Sequence, residues 1–137
     1  MRSSSPHFNW PIRVYYEDTD AGGVVYHSNY LNFMERARTE WLRALGFEQP
    51  ELKDNFGVII VVHSMTVAFK RPAMFNDVLE VACEVLKIGH GSIEMGQKIT
   101  RQGELLIEAQ VKAAFVNAAN FKPVGIPASI KQAMLQS

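Results

Sequence analysis

The feature that most limits the fold of this chain is a series of four segments with strand patterns in its second half. They run over residues 58–69, 78–88, 92–100 and 104–116. Alternation of apolar and polar residues is clearest in the second and fourth, and it is typical of strands that bury one face of a sheet. Short breaks containing Gly or Pro separate the segments, so the strands are expected to be antiparallel. One face of such a sheet needs a covering element.

The covering element is predicted to be one long helix over residues 28–45. Its apolar residues recur at helical spacing, and Gly46 follows as a natural C-terminal stop. The apolar positions are Tyr30, Phe33, Met34, Ala37, Trp41, Ala44 and Leu45.

Strand, long helix and four further strands predict an α+β domain, a five-stranded antiparallel sheet wrapped around one central helix. The first strand is predicted over residues 10–16, and shorter helices over 49–55 and 128–135, the last of which could dock or fray. A length of 137 residues fits one domain, with 1–9 as a flexible tail. Gly96 suggests a β-bulge in its strand.

Composition excludes several classes of protein. Lys+Arg and Asp+Glu both number 14 and no basic run occurs, so a nucleic-acid-binding surface is not indicated. The N-terminal residues lack the apolar core of a secretory signal, and the aliphatic run 58–62 is too short to cross a bilayer. The single cysteine, Cys83, fits a reducing compartment and a buried apolar position better than a nucleophile. A soluble cytoplasmic protein is expected.

An acidic loop over residues 17–27 leads into the predicted helix and carries the candidate chemistry. Asp20 precedes Ala21-Gly22-Gly23, where the backbone can approach a ligand closely. Its carboxylate could attack a carbonyl or deprotonate water, while N–H groups from Gly23 to Ser28 stabilise an oxyanion. The same residues could also form a purely structural turn, with Glu17 and Asp18 ending the strand. From the residues alone, the role of His27 stays open.

A calcium site is the rival interpretation of this loop, because Asp18, Asp20 and Gly23 match the first, third and sixth positions of an EF-hand. The fifth and twelfth positions would be Gly22 and Asn29, which do not supply the expected ligands. The remaining histidines are scattered, so no metal is expected.

Residues 14–30 together with 35–38 resemble the hotdog-fold acyl-CoA thioesterases of the 4-hydroxybenzoyl-CoA thioesterase type, and within them the bacterial Tol-Pal-associated group. The likeness continues through residues 69–73, 77–79, 122–123 and 126–127. It implies a hydrolase that splits acyl-CoA into free acid and CoA, with CoA as part of the substrate and no separate cofactor. It also implies homodimers or tetramers with active sites at the subunit interface.

The same resemblance implies roles for individual residues. Asp20 falls on the catalytic aspartate, and His27 on the residue whose N–H polarises the thioester carbonyl and whose ring is implicated in the Tol-Pal-associated group. Gly23, Tyr26 and Asn29 flank the substrate site.

Further residues have less specific roles. Glu35 falls near the acyl pocket, with an i,i+3 surface pair to Arg38 as the alternative. Lys70, Arg71 and the turn 89–92 are candidates for the CoA phosphates, with solvation at the surface as the alternative.

Two other functions are compatible with these residues. One is a hotdog dehydratase acting on hydroxyacyl thioesters with His27 as base. The other is a non-catalytic scaffold that binds acyl carrier protein. The acyl group itself is not defined by the sequence.

Overall fold

The computed structural model describes residues 7–136 of the chain and the side chains of 8–136. The elements in chain order are strand β1 (His7–Arg13), helix α1 (His27–Ala44), short helix α2 (Gln49–Glu51), strands β2 (Val58–Phe69), β3 (Val78–Ile88), β4 (Ser92–Arg101) and β5 (Glu104–Asn117), and helix α3 (Ala128–Gln136). A 3₁₀ turn over Tyr16–Asp18 follows β1, and a π-helical turn over Leu52–Phe56 extends α2. In the described part of the chain, no helix is both long and apolar enough to span a membrane.

The five strands form one antiparallel sheet in the order β1-β3-β4-β5-β2. Strand β2 therefore pairs with β5 at the far side of the sheet and not with β3, which follows it in the chain. Strands β1 and β2 are the two edges. Because antiparallel registers align residues across the sheet, side chains on the face toward α1 form cross-strand rows.

Helix α1 lies against that inner face and fills the core. Tyr30, Phe33, Met34, Ala37 and Trp41 are buried, as the helical spacing predicts. Leu42 is also buried, whereas Ala44 is exposed and Leu45 only partly buried, so the apolar stripe ends one turn earlier than predicted. Burying a large apolar side chain contributes about 1.5–3 kcal/mol. The predicted fold class is confirmed: a five-stranded antiparallel sheet around one long helix.

The first strand begins and ends earlier than its sequence pattern predicts. Residues 7–9, assigned to a flexible tail, pair with β3, and the ring of Phe8 stacks on Trp10 with centroids 6.2 Å apart. The strand stops at Arg13 because Asp18 Oδ2 accepts a hydrogen bond from Tyr15 N (2.9 Å), which favours a 3₁₀ turn where further strand was expected. The rest of the predicted tail, residues 1–6, lies outside the described residues.

The predicted bulge at Gly96 is wrong, since Gly96 pairs regularly with Glu84 and Gln110. The register shifts occur elsewhere, between Val62 and Ser64, Val85 and Lys87, and Ile99 and Thr100. What Gly96 provides is space: a Cβ atom there would lie 3.4 Å from Leu86 Cδ1.

The C-terminal segment crosses the β3–β4 turn and docks α3. Ile126 N donates to His90 O (2.8 Å) of that turn, and Val124 N donates to Phe115 O (3.0 Å) of β5. Ile130 and Met134 of α3 are buried, so the helix docks and does not fray.

Gly91→Ala is expected to lower the free energy of unfolding by about 1–3 kcal/mol. A Cβ atom there would lie only 2.4 Å from Val124 O, so two backbone segments must separate. Urea denaturation measures the change. Gly96→Ala is the matched control, because its Cβ meets only the end of the flexible Leu86 side chain. Equal effects of the two variants would contradict the packing described.

Candidate active site

Asp20 lies at the tip of a tight turn that its own groups close. Its N–H donates to Val24 O (2.9 Å) and its C=O accepts from Gly23 N (3.0 Å). Its carboxylate Oδ1 accepts from Gly22 N (2.8 Å). Gly23 has φ of +81°, a conformation that favours glycine. The carboxylate is thus exposed but held in one orientation by the backbone.

The loop that carries this turn is attached to the segment between β2 and β3. Val25 N donates to Ala73 O (2.8 Å). The buried hydroxyl of Tyr30 accepts from Ala73 N (2.8 Å), and burial raises the pKa of Tyr30 above its usual value. These bonds connect the loop, the β2–β3 segment and the second turn of α1.

The loop is also connected to the start of α1. Asp18 O accepts from Tyr26 N (3.1 Å) and from Asn29 Nδ2 (3.0 Å). Asn29 N donates to Tyr26 O (2.9 Å). Within the described residues, the N–H groups of His27 and Ser28 donate to no protein acceptor. Unpaired N–H groups at a helix start carry a partial positive charge and favour an anionic oxygen.

A cavity of about 220 Å³ opens beside this helix start. The ring centroid of His27 lies 4.7 Å from that of Phe69, and Tyr30 lies 5.8 Å from Phe69. The lining residues are Val24, Val25, His27, Tyr30, Phe69, Lys70, Arg71 and Pro72. The cavity thus combines an apolar floor with two cations and the candidate histidine.

The two cations differ in their partners. Arg71 Nε lies 3.0 Å from Glu104 Oε2, and Glu104 also binds Arg101. Lys70 has no carboxylate within ion-pair distance among the residues that the structure describes.

The structure groups five of the predicted site residues and separates the sixth. Asp20, Gly23, Tyr26, His27 and Asn29 all belong to the loop and the first turn of α1. Glu35 instead lines a second cavity, of about 90 Å³, between α1 and the sheet. Arg38, the partner considered for Glu35, donates to Gln97 Oε1 (2.8 Å), and among the described residues no Glu35–Arg38 contact lies within ion-pair distance. The Glu35 charge still acts to raise the pKa of Arg38, against the larger lowering effect of burial.

Sequence reasoning missed Phe69, the Tyr30 hydroxyl and Gln97. Gln97 had a detectable signal, since it is a polar residue at an inward position of a strand. It is fully buried, and its Nε2 donates to Met34 O (3.0 Å) and Cys83 Sγ (3.2 Å). The contact of Phe69 with His27 had no local signal, because it depends on β2 lying beside the start of α1.

Cys83 is buried, as its sequence pattern predicts. Burial raises the pKa of its thiol to about 11, so the nucleophilic thiolate is scarce at neutral pH. Among the residues that the structure describes, no group of three His, Cys, Asp or Glu side chains could hold a metal ion.

The fold and the site together define a class of protein. An antiparallel sheet around one helix, with an acidic turn at the helix start, is the hotdog arrangement expected from the motif. Residues 14–134 match the family model of the thioesterase-like superfamily. The chain belongs to this family.

Individual relatives agree with that class. The chain is 44% identical over 126 residues to the acyl-CoA thioesterase YbgC of Haemophilus influenzae, covering 92% of this chain and 93% of the relative. It is 46% identical over 124 residues to the acyl-CoA thioester hydrolase YbgC of Escherichia coli O157:H7, covering 90% and 92%.

Solved structures give the same result. A probable thioesterase from Bartonella henselae superposes with a TM-score of 0.85 at 34% identity, covering 89% of this chain and all of that one. A 4-hydroxybenzoyl-CoA thioesterase structure, at 16% identity, superposes with a TM-score of 0.88 over 93% of this chain and 98% of that one, which shows the shared fold alone.

Tyr30→Phe is expected to lower the free energy of unfolding by about 1–3 kcal/mol, since it leaves the Ala73 N–H without an acceptor in a buried position. Thermal or urea unfolding measures this. Tyr16→Phe is the control, because Tyr16 is 77% exposed and keeps its ring contact with Phe75. A Tyr30→Phe variant as stable as the control would show that this bond does not hold the loop.

Proposed function

We propose that this protein hydrolyses acyl-CoA thioesters to free acid and CoA, with Asp20 as nucleophile or general base. The observation that carries the proposal is the oriented Asp20 carboxylate on the loop that leads directly to the unpaired N–H groups of His27 and Ser28. Relatives at 44% and 46% identity that are named as acyl-CoA thioesterases support the same reaction.

In the proposed reaction, the thioester carbonyl oxygen accepts hydrogen bonds from N–H groups at the start of α1. These groups and the helix dipole stabilise the negative charge that develops on the oxygen. Asp20 Oδ1 already accepts a hydrogen bond from Gly22 N. We therefore assign Oδ2 as the oxygen that attacks the carbonyl or removes a proton from water.

Two routes lead to the same products. In one, Oδ2 attacks the carbonyl carbon and the C–S bond breaks, which releases CoA thiolate and leaves a mixed anhydride that water opens. In the other, Oδ2 removes a proton from water, and that water attacks the carbonyl directly. The His27 ring lies at the cavity wall, where its proton can pass to the leaving thiolate.

The other site residues hold or admit the substrate. Gly23 allows the turn, and Asn29 fixes the loop through Asp18 O. Tyr26 is 59% exposed beside the helix start, where its ring is free to contact the substrate. Lys70 is the cation assigned to the CoA phosphates, since Arg71 is already paired with Glu104. Acyl-CoA as substrate and a free thiol at Cys83 both fit a cytoplasmic location.

The proposed active unit is a homodimer that pairs the β2 edges. Strand β2 is 12 residues long, carries no Asp, Glu, Lys or Arg, and leaves Val61 36% and Val62 48% exposed. A long uncharged edge strand is a template for pairing with another chain. Because Phe69 ends β2 and contacts His27, this pairing brings the partner near the site. A tetramer of two such dimers follows from the family resemblance.

Asp20→Asn is expected to reduce kcat for acyl-CoA hydrolysis by about 10²-fold or more, because the amide keeps the shape but neither attacks nor accepts a proton at neutral pH. Thiol release from a panel of acyl-CoAs, followed with a thiol reagent, measures this. Glu17→Gln is the matched control, since it removes a carboxylate from the same loop.

Three results would contradict the proposed reaction. Full activity of Asp20→Asn would remove Asp20 from the mechanism. An enoyl product detected by ultraviolet absorbance would favour the dehydratase. Retention of acyl carrier protein without any hydrolysis would favour the scaffold.

Val61→Lys is expected to convert the dimer into monomers and to lower hydrolysis with it, because two-fold pairing places the new charges near each other. Light scattering after size exclusion gives the mass. Leu135→Lys adds the same charge at an exposed position of α3 and should leave the mass unchanged. A Val61→Lys variant that stays dimeric would refute pairing through β2.

A further inference from the structure

The segment between β2 and β3 carries one residue, Ala73, that is bonded to both halves of the candidate site. Ala73 O accepts from Val25 N, on the loop that carries Asp20, at 2.8 Å. Ala73 N donates to the Tyr30 hydroxyl of α1, also at 2.8 Å. The position of Ala73 therefore sets the position of the Asp20 loop relative to the helix whose N–H groups face the substrate carbonyl.

A single side chain, Arg101 at the end of β4, is bonded on both sides of Ala73. Its Nη1 donates to Pro72 O at 3.4 Å, and Pro72 directly precedes Ala73. The same nitrogen donates to Asp77 Oδ2 at 2.7 Å. That carboxylate oxygen also accepts from Met74 N at 2.8 Å, and Met74 directly follows Ala73. Arg101 thus fixes the backbone before Ala73 directly and the backbone after it through Asp77.

Arg101 is itself held on the sheet. Its Nη2 donates to Glu104 Oε1 at 2.8 Å. Arg101 and Glu104 are paired residues of β4 and β5, on either side of the turn formed by Gln102 and Gly103. Both turn residues have positive φ, 51° and 83°, as in the tight hairpin turns that match the twist of their strands. The bonds from Arg101 therefore connect the β2–β3 segment to a rigid hairpin.

The charge of Arg101 is already compensated. Ion pairs join it to Asp77 and Glu104, and its side chain is only 24% exposed. Hydrogen bonds from Glu104 and then from Asp77 raise the pKa of Arg101 above its usual value. A CoA phosphate approaching Arg101 would be repelled by the same two carboxylates. The surroundings of Arg101 favour a role in holding the backbone over a role in binding an anion.

We propose that Arg101 is a positioning residue for thioester hydrolysis. By holding the backbone on both sides of Ala73, it keeps the Asp20 carboxylate aligned with the N–H groups at the start of α1. This inference rests on the proposed function, because it places the reacting carbonyl between those groups. A displacement of about 1 Å between reacting groups can cost about 10²-fold in rate. Arg101 acts through Asp77 and the backbone and does not touch the substrate.

Steady-state kinetics of Arg101→Met in the full chain test the proposal. Methionine keeps an unbranched apolar side chain and removes the donors. The substrates are the acyl-CoA that the unaltered protein hydrolyses fastest and the matching acyl-pantetheine, which lacks the nucleotide phosphates. With both substrates kcat is expected to fall about 10- to 100-fold while KM changes by less than about 3-fold, since alignment in the transition state is lost and substrate binding is kept.

Arg43→Met is the matched control. Arg43 also pairs with two carboxylates, those of Glu40 and Glu48, but it lies in the last turn of α1, far along the helix from the site. Its replacement should leave kcat unchanged.

Two further variants separate the bonds of Arg101 from the stability of the protein. Arg101→Lys keeps the charge and one ion pair without the planar fork, and should recover part of the lost kcat. The double variant Arg101→Met/Asp77→Asn leaves no unpaired charge and serves if Arg101→Met does not fold. Its kcat should match that of Arg101→Met, because both changes remove the same contact.

Amide hydrogen exchange gives a measurement that does not depend on activity. In Arg101→Met, the Val25 and Ala73 N–H groups should exchange several-fold faster, because the segment that holds them opens more often. The Ile126 N–H is the internal control, since its bond to His90 O lies at the β3–β4 turn. Its exchange rate should not change.

The results that overturn the inference differ from those that overturn the proposed function. An unchanged kcat in Arg101→Met, or an equal loss in Arg43→Met, would remove Arg101 from the positioning role. A rise in KM for the acyl-CoA alone would make Arg101 a phosphate-binding residue instead. Faster exchange at Val25 and Ala73, in a protein whose unaltered form hydrolyses no acyl-CoA, would refute the proposed function and leave Arg101 as the anchor of the loop.

Discussion

The structure depends on the burial of one face of α1 by one face of the sheet. Tyr30, Phe33, Met34, Ala37 and Trp41 need an apolar surface several strands wide. The inward residues of β3, β4 and β5 provide it, since Val81, Ile99 and Ile107 are fully buried in cross-strand register. Because this packing sets the position of α1, it also sets the place where the helix begins, and the candidate site is built at that helix start.

The buried hydrogen bonds between α1 and the sheet have a different role from the apolar packing that surrounds them. Gln97 connects Met34 of the helix with Cys83 of the neighbouring strand, and the Tyr30 hydroxyl connects the helix with the β2–β3 segment. Apolar packing tolerates small displacements, whereas buried hydrogen bonds require particular distances and directions. These bonds are therefore suited to position α1 precisely. The proposed reaction requires such precision, because the thioester carbonyl oxygen has to accept hydrogen bonds from the N–H groups at the start of α1.

The edge strand β2 contributes to the sheet, to the proposed dimer interface and to the candidate site. Its pairing with β5 leaves the other side of a long uncharged strand without a partner strand among residues 7–136. Its last residue, Phe69, contacts His27. The proposed dimerisation through this edge would cover an exposed apolar strand and bring the partner close to the candidate site. A short chain can in this way form a site larger than its own core allows.

Local sequence patterns were sufficient to predict most of the secondary structure and the candidate catalytic loop. A strand pattern closed by a Pro-containing break placed β2 to the residue, and period-two alternation placed β3. Helical spacing placed α1 within one residue, and the acidic glycine-containing loop indicated Asp20 as a candidate. These features depend on neighbours in the chain, so the sequence alone is sufficient for them. The early end of β1 was missed because the Asp18 carboxylate competes with strand pairing for Tyr15 N.

Tertiary structure alone decided the rest. It placed β2 beside β5, Phe69 against His27, and Arg38 on Gln97, which are contacts between residues 38 to 59 positions apart in sequence. Such contacts arise when the sheet closes around α1, and no local preference encodes which distant side chains then meet. The sequence by itself therefore determined the elements and the catalytic candidates, whereas the packed sheet and helix decided the cavities and the separation between Glu35 and the helix start.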